Sequence, residues 1–395
     1  MRLLQIRDFE GDSHETYIKD AAKWRKCKSS DTLIGRYGAA VGRICRGLEG
    51  AYNVALAKVV PSERVDANYL HYLLRSSFFQ LPLIAASGRS AQAGFNKGDL
   101  AVIKLPVVPL KDQIGIGRVL GSLDDKIELN RRMNETLEAM AQAIFRDWFV
   151  DFGPTRRKLE GATDPVTIMG GLITDPTRAQ ELADLFPATL GDDGLPEGWR
   201  EGCLGDIARS VGTAVKPSEV DPSTPYIGLE HMPRRSLSLW DWEAASKVTS
   251  NKSGFNKGQI LFGKLRPYFH KVGVAPVDGV CSTDIIVLDA VTKAQLSMVA
   301  TCVSSDAFVA FTDQGSTGTK MPRTSWSSMK GYPLALPTAD LTTQFSEFVS
   351  PMLEKVVAAV HENKTLAATR DLLLPKLMSG EIRLGEAEEL VEAAQ

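Results

Sequence analysis

The sequence predicts an α+β fold in which two mixed α/β globular units alternate with two long helices. Three observations carry that expectation. The chain has 395 residues, 44% of them hydrophobic, which is more than one average domain needs. It contains two unusually long amphipathic stretches, and the features around those stretches recur in the same order at one separation.

The first stretch, Gln113 to Phe149, lacks proline and places apolar residues at Ile116, Leu120, Leu123, Ile127, Leu137, Ala141, Ile144 and Trp148. Spacing that alternates three and four is a heptad seam, interrupted here by Asn130 and Asn134. An offset of 229, the separation of Asn134 from Asn363, carries this seam onto a second one. That seam runs through Phe345, Val349, Met352, Val356, Ala359, Asn363, Leu366, Arg370, Leu373 and Leu377. Asparagine inside a seam lowers stability and fixes register. Each helix would span about 50 Å at 1.5 Å per residue, longer than one domain requires, so the two are read as a paired spacer.

Upstream of each helix lies a Gly/Ser-rich segment, Ser87-Gly88-Arg89-Ser90 or Gly315-Ser316-Thr317-Gly318. A short proline-punctuated apolar run follows it, Ile103 to Pro109 or Tyr332 to Pro337, and both are read as strands. Further upstream, Leu33 to Gly38 matches Ile260 to Leu265 at nearly the same separation. A local match of Phe95-Asn96-Lys97-Gly98 with Phe255-Asn256-Lys257-Gly258 has a different offset, soon dies out, and is read as coincidence.

The plan is therefore a unit at 1–112, a helix at 113–149, a linker at 150–194, a second unit at 195–343, a second helix at 344–379 and an acidic tail at 380–395. Gly, Pro, Asp and Thr without sustained periodicity make 150–194 a linker or wrapped loop, and the tail is read as solvated. Within the units, short β-type runs such as Asp284 to Leu288 alternate with helical pieces such as Asn68 to Gln80. The second unit carries about 30 residues ahead of Tyr226-Ile227-Gly228-Leu229, whereas the corresponding run in the first copy is Leu3-Leu4-Gln5-Ile6.

The formal net charge is −2, so any footprint on a polyanion must be local. Five scattered cysteines without a C-x-x-C pair read as reduced thiols, no metal site is expected, and no apolar run reaches membrane-spanning length. The expected location is cytoplasmic. Catalytic classes are disfavoured motif by motif. There is no Gly-x-x-x-x-Gly-Lys-Ser/Thr phosphate loop, no Asn/Asp-Pro-Pro-Tyr/Phe methyltransferase tetrapeptide and no Pro-Asp…acid-x-Lys nuclease trio. Gly115-Ile-Gly117-Arg-Val-Leu-Gly121 imitates a dinucleotide loop but lies inside the first helix with no strand immediately before it.

This arrangement resembles the specificity (S) subunits of type I restriction-modification systems, in which two target-recognition domains alternate with two helical spacers. The residues that carry the resemblance span nearly the whole chain. They include Leu195-Pro196-Glu197-Gly198-Trp199, Gly258-Gln259-Ile260-Leu261 with Lys264, and Gly315 to Gly318. The Pro109 to Gln113 helix entrance and Leu373-Leu374-Pro375-Lys376-Leu377-Met378-Ser379-Gly380 complete them. The resemblance implies antiparallel pairing of the helices and a non-catalytic reader of a bipartite double-stranded DNA target. It further implies modification (methyltransferase) subunits and restriction (helicase-nuclease) subunits as partners. S-adenosylmethionine, ATP and Mg2+ would belong to those partners, and this chain would hold no cofactor. The alternative from another class is a coiled-coil scaffold that does not bind DNA.

For a DNA reader, the windows of interest are basic, polar and free of acids. The first copy offers Arg36, Arg43 and Arg46 in one window and Arg89, Asn96 and Lys97 in another. The second offers Lys264, Arg266, His270 and Lys271, then Ser316, Thr317, Lys320 and Arg323 among glycines that permit close approach to phosphate. Trp148 with Phe149, and Trp240 with Trp242, are read as packing residues.

Overall fold

Each half of the chain turns one list of very short strands into the same pair of sheets. The computed structural model describes residues 1–10, 15–87, 94–318 and 320–394. It divides into two units, the first made of Met1–Glu128 with Thr365–Gln395 and the second of Leu129–Lys364.

In the first unit come β1 (Arg2–Leu4), β2 (Thr16–Tyr17), β3 (Lys26–Cys27), β4 (Thr32–Gly35), β5 (Ile44–Cys45), β6 (Gly50–Tyr52) and β7 (Leu56–Val59). Helices α1 (Ala67–Arg75), α2 (Ser77–Ser87) and α3 (Lys97–Ala101) follow, then α4 (Leu110–Phe149), which continues into the second unit. One sheet has the order β2-β1-β6-β3 and the other β5-β4-β7. Asp66 caps α1 by accepting the Asn68 and Tyr69 amides, satisfying donors the first helical turn leaves free.

The second unit opens with α5 (Gly153–Leu159), α6 (Pro165–Ile168) and α7 (Pro176–Ala183). It continues with β8 (Arg200–Cys203), α8 (Leu204–Ile207), β9 (Ala208–Ser210), β10 (Thr213–Val215), β11 (Pro225–Ile227), β12 (Glu243–Ala244) and β13 (Lys252–Phe255). Then come β14 (Ile260–Gly263), β15 (Val272–Val274), β16 (Gly279–Cys281), β17 (Ile285–Ala290), α9 (Leu296–Val303), α10 (Asp306–Gln314), α11 (Trp326–Met329) and β18 (Pro333–Leu336). The long α12 (Ala339–Ser379) and α13 (Leu384–Ala394) close the chain.

The registers establish the duplication where raw identity does not. In the first unit Leu33 pairs with Cys45 and Thr32 with Val59; in the second Leu261 pairs with Gly273 and Ile260 with Leu288. The parallel pair Leu3↔Ala51 repeats as Tyr226↔Val280. The second unit's sheets, β10-β13-β16-β11-β12 and β15-β14-β17-β9, are those of the first with β10 and β9 added. Both extra strands come from the stretch ahead of Tyr226.

That stretch explains one difference from the sequence reading. Pro333–Leu336 forms a strand by pairing with Arg200–Cys203. Its counterpart, Ile103 to Pro109, is not a strand: among the described residues no strand pairs with it, and a strand without a partner leaves its backbone groups unpaired. Ile103 and Leu105 still pack against the buried cluster of Ile34, Leu74, Phe79, Leu83 and Phe95.

Two further expectations are corrected. Residues 150–194 are not a loose linker: Asp164 and Asp175 cap α6 and α7, each followed by proline at the first helical position. Arg157 grips Asp147 with two hydrogen bonds (2.9 and 2.7 Å), and Ile168, Met169, Leu182 and Phe186 are buried in the core. The acidic tail forms α13, with Ala387 and Val391 buried in the first unit. The Phe-Asn-Lys-Gly match is a coincidence in structure too. Asn96 caps α3, whereas Asn256 lies in the turn between β13 and β14.

The helices pair within each unit. In the second, Asn130 meets Asn363, Asn134 meets Val356 and the Phe145 ring meets Phe345 at 6.3 Å, so the segments run antiparallel. Trp148 and Phe149 are packing residues there, stacked edge-on with Phe345. In the first unit Ile116, Leu120, Leu123 and Ile127 bury against Leu366, Leu373 and Leu377, each contributing about 1.5–3 kcal/mol. Arg370, an odd residue for a seam, bonds to Asp124, which also takes Arg75 Nη1 (2.9 Å) and the Tyr72 hydroxyl (2.8 Å). Among the described residues no single helix is long and apolar enough to cross a membrane.

Candidate nucleic-acid interface

In the second unit β14 and β15 are joined by an eight-residue excursion, 264–271, whose backbone is fixed at both ends. The Gly263 amide donates to the Lys271 carbonyl and the Lys264 amide to that of Asp284. From the far side comes the loop after α10, where Thr317 and Arg323 exchange backbone hydrogen bonds. Arg266 donates its amide to Pro322, Thr324 donates to Lys264, and Leu265 bridges to Arg323. The two basic windows of this unit are thus a single backbone-stitched surface carrying Lys264, Arg266, Lys320 and Arg323.

The first unit repeats the arrangement. Gly35 donates to Arg43, Arg36 donates to Ala55, and Tyr37 bridges to Gly94. The pairs Tyr37–Gly94 and Leu265–Arg323 are the same contact, shifted by 228 and 229 residues along the sequence. The Arg36 guanidinium lies 5.0 Å from the Tyr37 ring centre, and that ring is exposed.

Not every expected residue faces outward. His270 is 6% exposed; its Nε2 meets the Ser304 carbonyl at 2.9 Å, and burial holds its pKa below the usual imidazole value. Lys271 gives its ammonium to the Leu229 carbonyl, with burial again lowering its pKa. Both are internal braces, His270 tied to Ser304 between α9 and α10 and Lys271 to Leu229. Arg46 is likewise committed to the Ser30 carbonyl and Asn68 side chain, Asn96 to capping, and the Ser316 hydroxyl to Asp313. Arg43, Lys97, Thr317 and Lys320 are exposed. Arg89 lies outside the described residues.

Folding also brings acids to windows that carry none in sequence. Asp284 accepts Arg323 Nε at 3.2 Å, and Asp306 accepts Arg235 at 2.7 Å. Sequence reasoning missed Arg234, Arg235 and Tyr268. Arg234 lies 4.2 Å over the Phe269 ring, and Tyr268, half exposed, meets the same ring edge-on at 4.9 Å. The signal available was an arginine pair and an aromatic pair in one unit, too common to single out. Glu230, His231 and Glu243 also converge. His231 Nδ1 accepts the Gly228 amide (2.9 Å), leaving Nε2 protonated and without a lone pair for a metal.

The loop behind this surface is clasped to α4. Glu138, 9% exposed, accepts the Leu237 amide (2.8 Å) and the hydroxyls of Ser238 (2.6 Å) and Ser236 (3.1 Å).

Residues 37–139 match the family model described as type I restriction modification DNA specificity domain. The chain is 24% identical over 345 residues to the type I restriction enzyme MjaIX specificity subunit of Methanocaldococcus jannaschii, covering 85% of this chain and 73% of that one. It is 25% identical over 361 residues to the HindI specificity subunit of Haemophilus influenzae, covering 78% and 74%. Among solved structures, a type I restriction-modification S subunit from M. genitalium aligns over 90% of this chain and 84% of that one. Its TM-score is 0.46 and its identity 15%.

Proposed function

We propose that this chain, which belongs to the family of type I restriction-modification DNA specificity subunits, reads double-stranded DNA through the two stitched loop surfaces, one per unit. The observation that carries the reading is their equivalence. The same hairpin-to-loop bridge, Tyr37–Gly94 and Leu265–Arg323, recurs with exposed basic side chains around it in both copies. Lysine and arginine on such a surface supply phosphate contacts that set position, while side chains at the loop tips reach base edges.

In this reading residues 1–112 and 195–343 are the recognition domains, each taking one half of a split target, and α4 and α12 serve as the spacer. The chain performs no catalysis. Methyltransferase subunits bring S-adenosylmethionine and methylate adenine, and helicase-nuclease subunits bring ATP and Mg2+. The complex works in the cytoplasm.

The test is a map of methylated adenines in cells that express the modification subunits with and without this chain. A bipartite methylated motif that appears only with the chain is expected. Replacing residues 195–343 by the equivalent region of another family member should then change one half of that motif. A methylation pattern indifferent to the chain overturns the reading.

A further inference from the structure

The hairpins at 37–42 and 265–270 share one backbone and differ in what they display. Gly38 and Gly42 have φ of 63° and 80°; at the same two places the second unit holds Arg266 (φ 51°) and His270 (φ 53°). Left-handed backbone is natural for glycine and strained for other residues. The two strained residues have different explanations. A Cβ on Gly42 would press on Gln80 and Leu83, so this position faces inward, and His270 there is buried and bonded to Ser304. A Cβ on Gly38 meets nothing within 4 Å, so this position opens outward.

Arg266 occupies the outward position; its backbone is bonded to Pro322 and Phe269, but among the described residues no side-chain hydrogen bond rewards its strain. Its Nε is buried without an acceptor, and its guanidinium lies 5.7 Å from the Phe269 ring centre. Phe269 also carries Arg234 and the Tyr268 edge, making it a platform that holds flat polar groups at the tip of the hairpin. Backbone strain held in place by the surrounding fold marks functional positions. A guanidinium steadied on a ring keeps the planar fork that matches two acceptors side by side, the pattern guanine shows in the major groove as O6 and N7.

We propose that Arg266, positioned by Phe269, reads a guanine within the half-site recognised by the second unit. The first unit, with glycine at the equivalent point, makes no such contact there and offers Arg36 on Tyr37 instead. The assignment rests on the DNA-reading function of the preceding subsection and goes beyond it by naming the residue, the base and the positioning ring.

The test uses the chain assembled with its modification subunits and a randomised duplex pool, from which the wild-type complex selects its preferred sequence. Arg266→Gly relieves the strain and should melt no lower than wild type. Arg266→Lys keeps the charge and loses the fork. Both should relax the preference for guanine at one position about tenfold or more, leaving the other positions as they were. Phe269→Leu should relax the same position, and Phe269→Tyr should retain it. If both Arg266 variants keep the full preference, or weaken every duplex equally, the assignment is overturned while the DNA-reading function stands. A wild-type complex that selects no sequence overturns the function itself.

Discussion

The Glu138 carboxylate on α4 accepts the Leu237 amide proton at 2.8 Å, tying a loop of the second unit to the long helix by a buried charge. Burial raises the Glu138 pKa, and the hydrogen bonds from Ser238, Leu237 and Ser236 offset only part of that rise. The folded protein therefore holds this proton more tightly than the unfolded chain does.

Stability linked to Glu138 should accordingly rise as pH falls from its raised value toward its ordinary one, and the penalty should be fully present only above the raised value. Glu138→Gln removes the charge and keeps an acceptor for Leu237. Its melting temperature should exceed that of wild type near pH 7, with the gap closing as the wild-type carboxyl protonates. Glu138→Ala should lose about 1–3 kcal/mol by stranding buried donors. A gap between wild type and Glu138→Gln that does not change with pH would sink this account.

The seam makes a second prediction. Asn130 donates to Asn363 Oδ1 at 2.8 Å and to Glu362 at 3.0 Å. Asn363→Leu alone takes one of two acceptors from the buried Asn130 amide and should cost about 1–3 kcal/mol. Adding Asn130→Leu should recover part of that loss, giving a coupling of about 0.5–3 kcal/mol in a double-mutant cycle followed by denaturant unfolding. Strict additivity would mean that the two asparagines do not act as a pair.

Salt dependence separates exposed bases from internal braces. Lys320→Ala, at an exposed position, should weaken binding on matched and mismatched duplexes alike and reduce the salt slope by about one unit. Lys271→Ala should leave the slope unchanged, because its ammonium already belongs to the Leu229 carbonyl. Fluorescence binding across a salt series reads both, and a reduced slope for Lys271→Ala would contradict its inward placement.

Periodicity disclosed the long helices and the order of repeated features disclosed the two-copy plan, because both signals extend over many residues. Strands as short as Lys26–Cys27 have no readable alternation, and they become visible only through their partners. The same limit made Ile103 to Pro109 look like Pro333–Leu336. In 150–194 the Asp164-Pro165 and Asp175-Pro176 starts were legible capping signals, hidden by helices too short to show a period. At the interface the basic windows were legible as composition. Which way each side chain points was not, since backbone turns at positions 266 and 270 decide it and neither residue type announces a left-handed conformation.

The shared hairpin bears on how a reader of this kind changes what it reads. Its frame is held by backbone hydrogen bonds that do not depend on side-chain identity, so tip residues can be exchanged without redrawing the sheet behind them. Trading an outward glycine for arginine costs about 1–2 kcal/mol of backbone strain, against the roughly 5–15 kcal/mol that holds a typical domain together. The second unit's hairpin has absorbed two left-handed residues, Arg266 facing outward and His270 facing inward. The reserve of stability in the scaffold, more than the geometry of the loop, then limits how many further steps of divergence the hairpin can take.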